Sequence, residues 1–188
     1  MAAVVVAGTA LVIASSGSSS SSAGGSTGPL LASTASFDSA GTQPVDGIQC
    51  QRGEQVLFHI HSHLAVFVNG QQRTIPLGIG IAPPRQVESG VAFGGTCFYW
   101  LHSHTPDGVI HLESPTRRSY TLGDYFDIWH QPLSPTQVGP AAGPVTAYRN
   151  GIRLTGDPRD IRLGNHTLVQ LDVGKDVPPR SYSFESGL

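Results

Sequence analysis

Eight histidines occur in the 188-residue chain, and six of them fall into two short windows. The first is His59-x-His61-x-His63; the second is His102-x-His104, followed by His111-x-Glu113. Neutral imidazole is the commonest protein ligand for transition metals. Alternate residues of an extended strand lie about 6 to 7 Å apart on one face, near enough for two of them to share an ion. Neutral imidazoles crowded side by side are costly to bury and repel one another once protonated, so a metal is the simplest reason to keep them together. The candidate ligands are therefore His59, His61, His63, His102, His104, His111 and Glu113, more than the four that one tetrahedral ion takes. His130 and His166 stand alone and read as ordinary surface or core residues.

The donor set narrows the metal. Met1 is the sole methionine, which disfavours a thioether Cu(I) carrier, and the two cysteines, Cys50 and Cys97, are far apart with no CxxC pair. They read as one structural disulfide, which removes thiolates from the ligand pool. Imidazole with one carboxylate suits divalent ions, zinc or copper first. The expected function is capture, delivery or structural use of such an ion. The alternative is a metal-dependent enzyme (hydrolase, lyase or oxidoreductase) with an open coordination position. Glu113 or Asp107 would then be the acid/base, with Tyr99 and Trp100 lining a pocket beside His102. A third reading is an interaction domain with a polar histidine face and no metal. Neither a nucleophile-base signature nor a Gly-rich phosphate loop is present, which favours binding over catalysis.

Positioning these side chains requires strands. Residues 55–68 (QVLFHIHSHLAVFV) are rich in β-branched and aromatic residues and end at Asn69-Gly70, the dipeptide suited to a type I′ hairpin. Parity puts His59, His61 and His63 on one face and Phe58, Ile60, Leu64, Val66 and Val68 on the other. A second Asn-Gly at Asn150-Gly151 marks another hairpin, and 166–173 reads as a closing strand. Between them, 97–104 and 109–113 flank Thr105-Pro106-Asp107-Gly108, a turn sequence whose even length pairs His102 with His111. Thr121-x-x-Asp124 opens the one short helix expected, through Trp129. Cys50 and Cys97, each shortly before a histidine cluster, are expected to hold the two histidine strands side by side.

Composition agrees with this frame. Charged residues are only 13% of the chain, while 23 Gly and 14 Pro favour turns and short strands over long helices. The fold class expected is mainly β: an antiparallel sandwich or barrel-like domain with hairpins, preceded by a disordered tether. A net charge of −2 supplies no basic field for nucleic acid. Residues 1–14 hold an apolar run of signal-peptide length without a preceding Lys or Arg, read as a signal-like or anchor segment. Residues 15–44 are Ser/Gly-rich and read as a linker, with a single β-rich metal-binding domain over 45–188. The protein is thus expected outside the cytoplasm, with tethering to a membrane through its N-terminus as an option.

The blocks FHIHSHLAVFVNG, CFYWLHSHTPDGVIHLESP and TLGDYFDIW together resemble a group of functionally unassigned, predicted secreted bacterial His-rich proteins. This resemblance covers most of 45–175 and implies no activity. Gly53 followed by His59-x-His61 is similar to the opening of the first cupin motif, although the glutamate due a few residues later is replaced by the apolar run 64–68. The HxH strand is also similar to the zinc site of α-type carbonic anhydrases, a likeness of site alone.

Overall fold

The computed structural model describes residues 28–188; the signal-like segment 1–14 and residues 15–27 lie outside the described part. The strands that matter for the site are β1 (Cys50–Gln51), β2 (Phe58–Val68), β3 (Gln71–Arg73), β4 (Phe98–Tyr99), β5 (Leu101–His102), β6 (Val109–Ser114), β7 (Val145–Arg149), β8 (Ile152–Arg153) and β9 (Thr167–Val173). All but β1 and β4 form one seven-stranded sheet in the order β8-β7-β9-β2-β6-β5, with β3 also paired to β2. The mainly β class holds, but the sheet does not close into a barrel. It is also mixed rather than antiparallel, because β9 runs parallel to β2 from Thr167↔Ser62 to Val173↔Val68.

The hairpins form where turn chemistry places them. Asn69 and Gly70 (φ 52° and 83°) join β2 to β3, and Asn150 and Gly151 (φ 52° and 77°) join β7 to β8. The even-residue face of β2 packs Leu64 and Val66 into the main core with Leu101, Ile110 and Leu112 from the neighbouring strands. Helix α2 (Leu122–Trp129) plugs that core with Tyr125, Phe126, Ile128 and Trp129. Its start is the expected capping box: Asp124 N donates to Thr121 Oγ1, and Thr121 N donates back to Asp124 Oδ2.

Residues 28–44, expected to belong to the linker, instead pack on the domain. Leu31 N donates to the Thr74 carbonyl, a short helix α1 spans Ala35–Ala40, and Leu31 and Phe37 are buried. The apolar side chains of Leu31 and Phe37 outweigh the polar composition around them.

The disulfide Cys50–Cys97 forms, but it does not clamp the two histidine strands. It ties β1 to the residue preceding β4, and those two strands pair as Cys50↔Tyr99. The histidine strands are held by their own ladder, in which β6 lies between β2 and β5.

The turn between β5 and β6 is pinned at several points. Asp107 Oδ1 accepts from Thr105 Oγ1 and from Val109 N, and Ser103 Oγ donates to the Val109 carbonyl. Gly108 has φ 90°, and a Cβ there would lie 2.2 Å from the Leu64 carbonyl oxygen, which accepts no such approach. Gly108→Ala is therefore expected to destabilise the protein by about 2–4 kcal/mol in chemical denaturation, through left-handed strain plus displacement of β2 from the turn.

Candidate metal centre

The ladder brings the histidine windows together. In β2 and β6, His59 pairs with Glu113 and His61 with His111; in β5 and β6, His102 pairs with His111, the register the even-length turn implies. His61, His111 and His102 thus form a row across three adjacent strands, on the face away from α2. Two overlapping groups of donors result: His59, His61, His111 and Glu113, and His102, His104, His111 and Glu113, with donor atoms within 4.8 Å of one another in each.

The tautomers of the second group follow from its hydrogen bonds. His102 Nδ1 donates to the Tyr99 carbonyl at 2.9 Å, and His104 Nδ1 donates to the Ala92 carbonyl at 2.6 Å. A carbonyl oxygen only accepts, so Nδ1 carries the proton and Nε2 of the neutral ring is a bare lone pair. Burial, helped by the nearby His104, pushes the His102 pKa down to about 3, and burial lowers that of His104 too. Both rings are therefore neutral near pH 7. Yet their Nε2 atoms face each other at 3.0 Å with no proton between them. An ion converts that repulsion into two coordinate bonds: donors about 2.0–2.1 Å from one ion, at roughly 90–109° to each other, lie about 2.9–3.4 Å apart. The carbonyl bonds also fix the ring orientations, as partners of metal-ligating imidazoles do.

The first group repeats the arrangement. His59 Nε2 and His61 Nε2 are 3.0 Å apart, and His59 Nε2 lies 3.0 Å from Glu113 Oε1. Burial, with the closeness of His111 and His59, pushes the His61 pKa down to about 4. Glu113 is 2% exposed. Burial alone would raise its pKa, but the hydrogen bond from His111 Nδ1 at 3.1 Å and the imidazoles of His102, His111 and His59 outweigh it and hold the carboxyl at about 2. The ionised Glu113 Oε2 is buried without any hydrogen-bond partner. A buried anionic oxygen left unpaired is expensive, and a cation is what satisfies it. The donor chemistry and this orphaned oxygen both fit a divalent metal.

Not every expected ligand joins. His63 is on the right face of β2 but one step beyond the cluster; its Nε2 donates to the Asp107 carbonyl at 3.0 Å, and its ring stacks on Tyr182 with centroids 3.7 Å apart. The donating Nε2 is spent on a carbonyl, so His63 belongs to the packing of the turn rather than to either donor group. His63→Ala is accordingly expected to leave metal content unchanged while lowering stability, whereas His61→Ala reduces metal content; elemental analysis of both variants checks this. Asp107 likewise stays out of the donor groups, because its carboxylate is engaged by the turn and by the Tyr182 hydroxyl. Tyr99 and Trp100, expected beside His102, are held elsewhere: Tyr99 is in the core with its hydroxyl donating to the Gln43 carbonyl, and Trp100 Nε1 donates to Gln51 Oε1. The cavity that does open beside the site, about 720 Å³, is lined by Phe58, His59, Arg117, Arg118 and Asn165 among others.

A further carboxylate, which the sequence pattern does not mark, lies at the edge of the site. Glu54 Oε1 lies 3.4 Å from His104 Nε2, in the irregular segment between β1 and β2. Strand alternation carries no information about such a residue. The disulfide at Cys50 anchors the segment that presents it, which gives the bridge an indirect part in the site. Both cysteines being oxidised, no sulfur donor remains among the described residues. No protein-family model matches the chain, and comparison with curated proteins and with solved structures returns no match.

Proposed function

We propose that this protein is an extracytoplasmic binder of a divalent transition metal, zinc or copper, which it captures, delivers or uses as an internal staple. The observation that supports this most is the pair of neutral imidazoles, His102 and His104, whose unprotonated Nε2 atoms face each other at 3.0 Å. The neighbouring buried carboxylate with an unpartnered oxygen points the same way. Imidazole and carboxylate without sulfur favour Zn(II) or Cu(II) over Cu(I). The disulfide supports an oxidising compartment, and no helix among the described residues is long and apolar enough to cross a membrane.

The test is metal retention by the full chain after loading and exhaustive dialysis. The wild type is expected to keep stoichiometric zinc or copper, and the double variant His111→Ala/Glu113→Gln, which removes the two residues common to both groups, is expected to keep none. A wild type that emerges metal-free, or a folded variant that retains as much as the wild type, overturns the proposal.

Metal-dependent catalysis is a second reading, favoured by one observation. His59 is the most exposed imidazole of the two donor groups, its side chain 37% exposed, and it borders the 720 Å³ cavity. A small molecule in that cavity would reach a metal held by His59. An ion with a bound water exchangeable for cyanide or azide would support this reading, and a fully protein-coordinated ion would count against it.

A further inference from the structure

We infer that the cluster is a dinuclear centre, two ions held by separate histidine pairs and bridged by Glu113. This rests on the metal-binding reading above and extends it. The two pairs are independent chelates: His59 with His61 on β2, and His102 with His104 at the end of β5, each with Nε2 atoms 3.0 Å apart. They lie on opposite sides of β6, so strands two apart in the sheet contribute them. Adjacent strands are about 4.8 Å apart, which puts the two backbones roughly 9–10 Å from each other, and the donor atoms fall into two groups, each within 4.8 Å, with one histidine pair in each. Only His111 and Glu113 belong to both donor groups. His111 sits midway, its ring centroid 4.5 Å from that of His61 and 4.5 Å from that of His104.

Glu113 has the geometry of a bridge. Its Oε1 is 3.0 Å from His59 Nε2 on one side and 4.0 Å from His102 Nε2 on the other. Its Oε2 is buried and unpartnered. The same oxygen, Oε1, thus lies between the two pairs, with Oε2 left over as a further donor, and two ions sharing a ligand typically lie about 3.5–4 Å apart. Glu54, 3.4 Å from His104 Nε2, gives the second pair a carboxylate of its own. Five imidazoles and two carboxylates suffice for two ions of three or four protein ligands each, and exceed what one ion takes. The rival arrangement is a single ion held by the cross-strand row of His61, His111 and His102.

Counting bound zinc separates the two. The full chain, stripped of metal and titrated with Zn(II) against a chromophoric chelator, is expected to bind two ions, while His59→Ala/His61→Ala and His102→Ala/His104→Ala are each expected to bind one. One ion in the wild type, or two that persist in both variants, overturns the dinuclear centre and leaves metal binding standing. No bound zinc or copper in the wild type overturns the metal-binding reading itself. The wild-type count requires no variant, so a misfolded variant does not prevent a decision.

Discussion

Replacing Glu113 with Gln is expected to weaken zinc binding by about 100-fold, so that zinc stabilises the variant far less than the wild type. Glutamine keeps the shape and still accepts the hydrogen bond from His111 Nδ1, but it removes the one anionic charge lying between the histidine pairs. Losing a residue that merely orients a ligand costs about 10–100-fold in metal affinity, and a charged ligand should cost no less. Metal that binds only the folded state stabilises it by RT ln(1 + [L]/Kd), so a 100-fold rise in Kd removes about 2.7 kcal/mol of metal-dependent stability at saturating zinc. Without metal the variant also loses the contacts with His111, His102 and His59 that hold the Glu113 carboxyl at about 2, so some apo stability is expected to go as well, and the difference between the zinc-induced shifts is the diagnostic quantity. Thermal unfolding of both proteins, with zinc and with chelator, reads both halves. Equal zinc-induced shifts in wild type and variant would remove Glu113 from the coordination sphere.

Acidification is expected to undo the metal-free fold between about pH 6.5 and pH 4. Burial first, and neighbouring imidazoles for two of the three, push His61 and His63 to about 4 and His102 to about 3. In the unfolded chain a histidine takes up its proton near 6.5. Between those values the unfolded state binds more protons than the folded one, so stability falls as the pH falls. Asp172 works against this, because burial raises its pKa to about 6 and the folded state then holds one proton the unfolded state lacks. Across these four groups the difference is roughly two protons below pH 6, a slope of about 3 kcal/mol per pH unit, with His104, lowered by burial, adding to it and Glu54 and Asp46, raised by burial, subtracting. The depressed pKa of Glu113, at about 2, adds stability that is lost only below the unfolded carboxylate range of about 4.5, outside this window. Saturating zinc or copper at pH 6 should move the transition to more acid pH, since the metal holds the imidazoles unprotonated. Circular dichroism across a pH series, with metal and with chelator, checks the sign; stability that rises on acidification from pH 6.5 to 5 contradicts it.

Much of this arrangement is legible in the sequence because it depends on short-range periodicity. Alternation placed His59 and His61 on one face of β2, and the even-length turn at 105–108 set His102 opposite His111. Thr121 and Asp124 announced their capping box by spacing alone. Long-range pairings left no comparable trace. Nothing local says that β9 lies parallel to β2, or that β6 sits between the two histidine strands. His63 obeys the same alternation as its neighbours, and only the tertiary position of the Asp107 carbonyl and of Tyr182 takes it out of the cluster. Glu54 was invisible for the converse reason, since it comes from an irregular segment whose path is set by β1 and the disulfide. Residues 28–44 misled through composition: a Ser- and Thr-rich stretch can still dock when it holds a Leu31 and a Phe37 for the core.

The central claim, a divalent metal held by imidazole and carboxylate without sulfur, is tested most directly by zinc-edge X-ray absorption on the loaded, dialysed full chain. The account predicts nitrogen and oxygen donors at about 2.0–2.1 Å, with the outer-shell scattering of at least two imidazoles per ion and no sulfur at about 2.3 Å. A spectrum lacking imidazole scattering, or one requiring a sulfur donor, would contradict it.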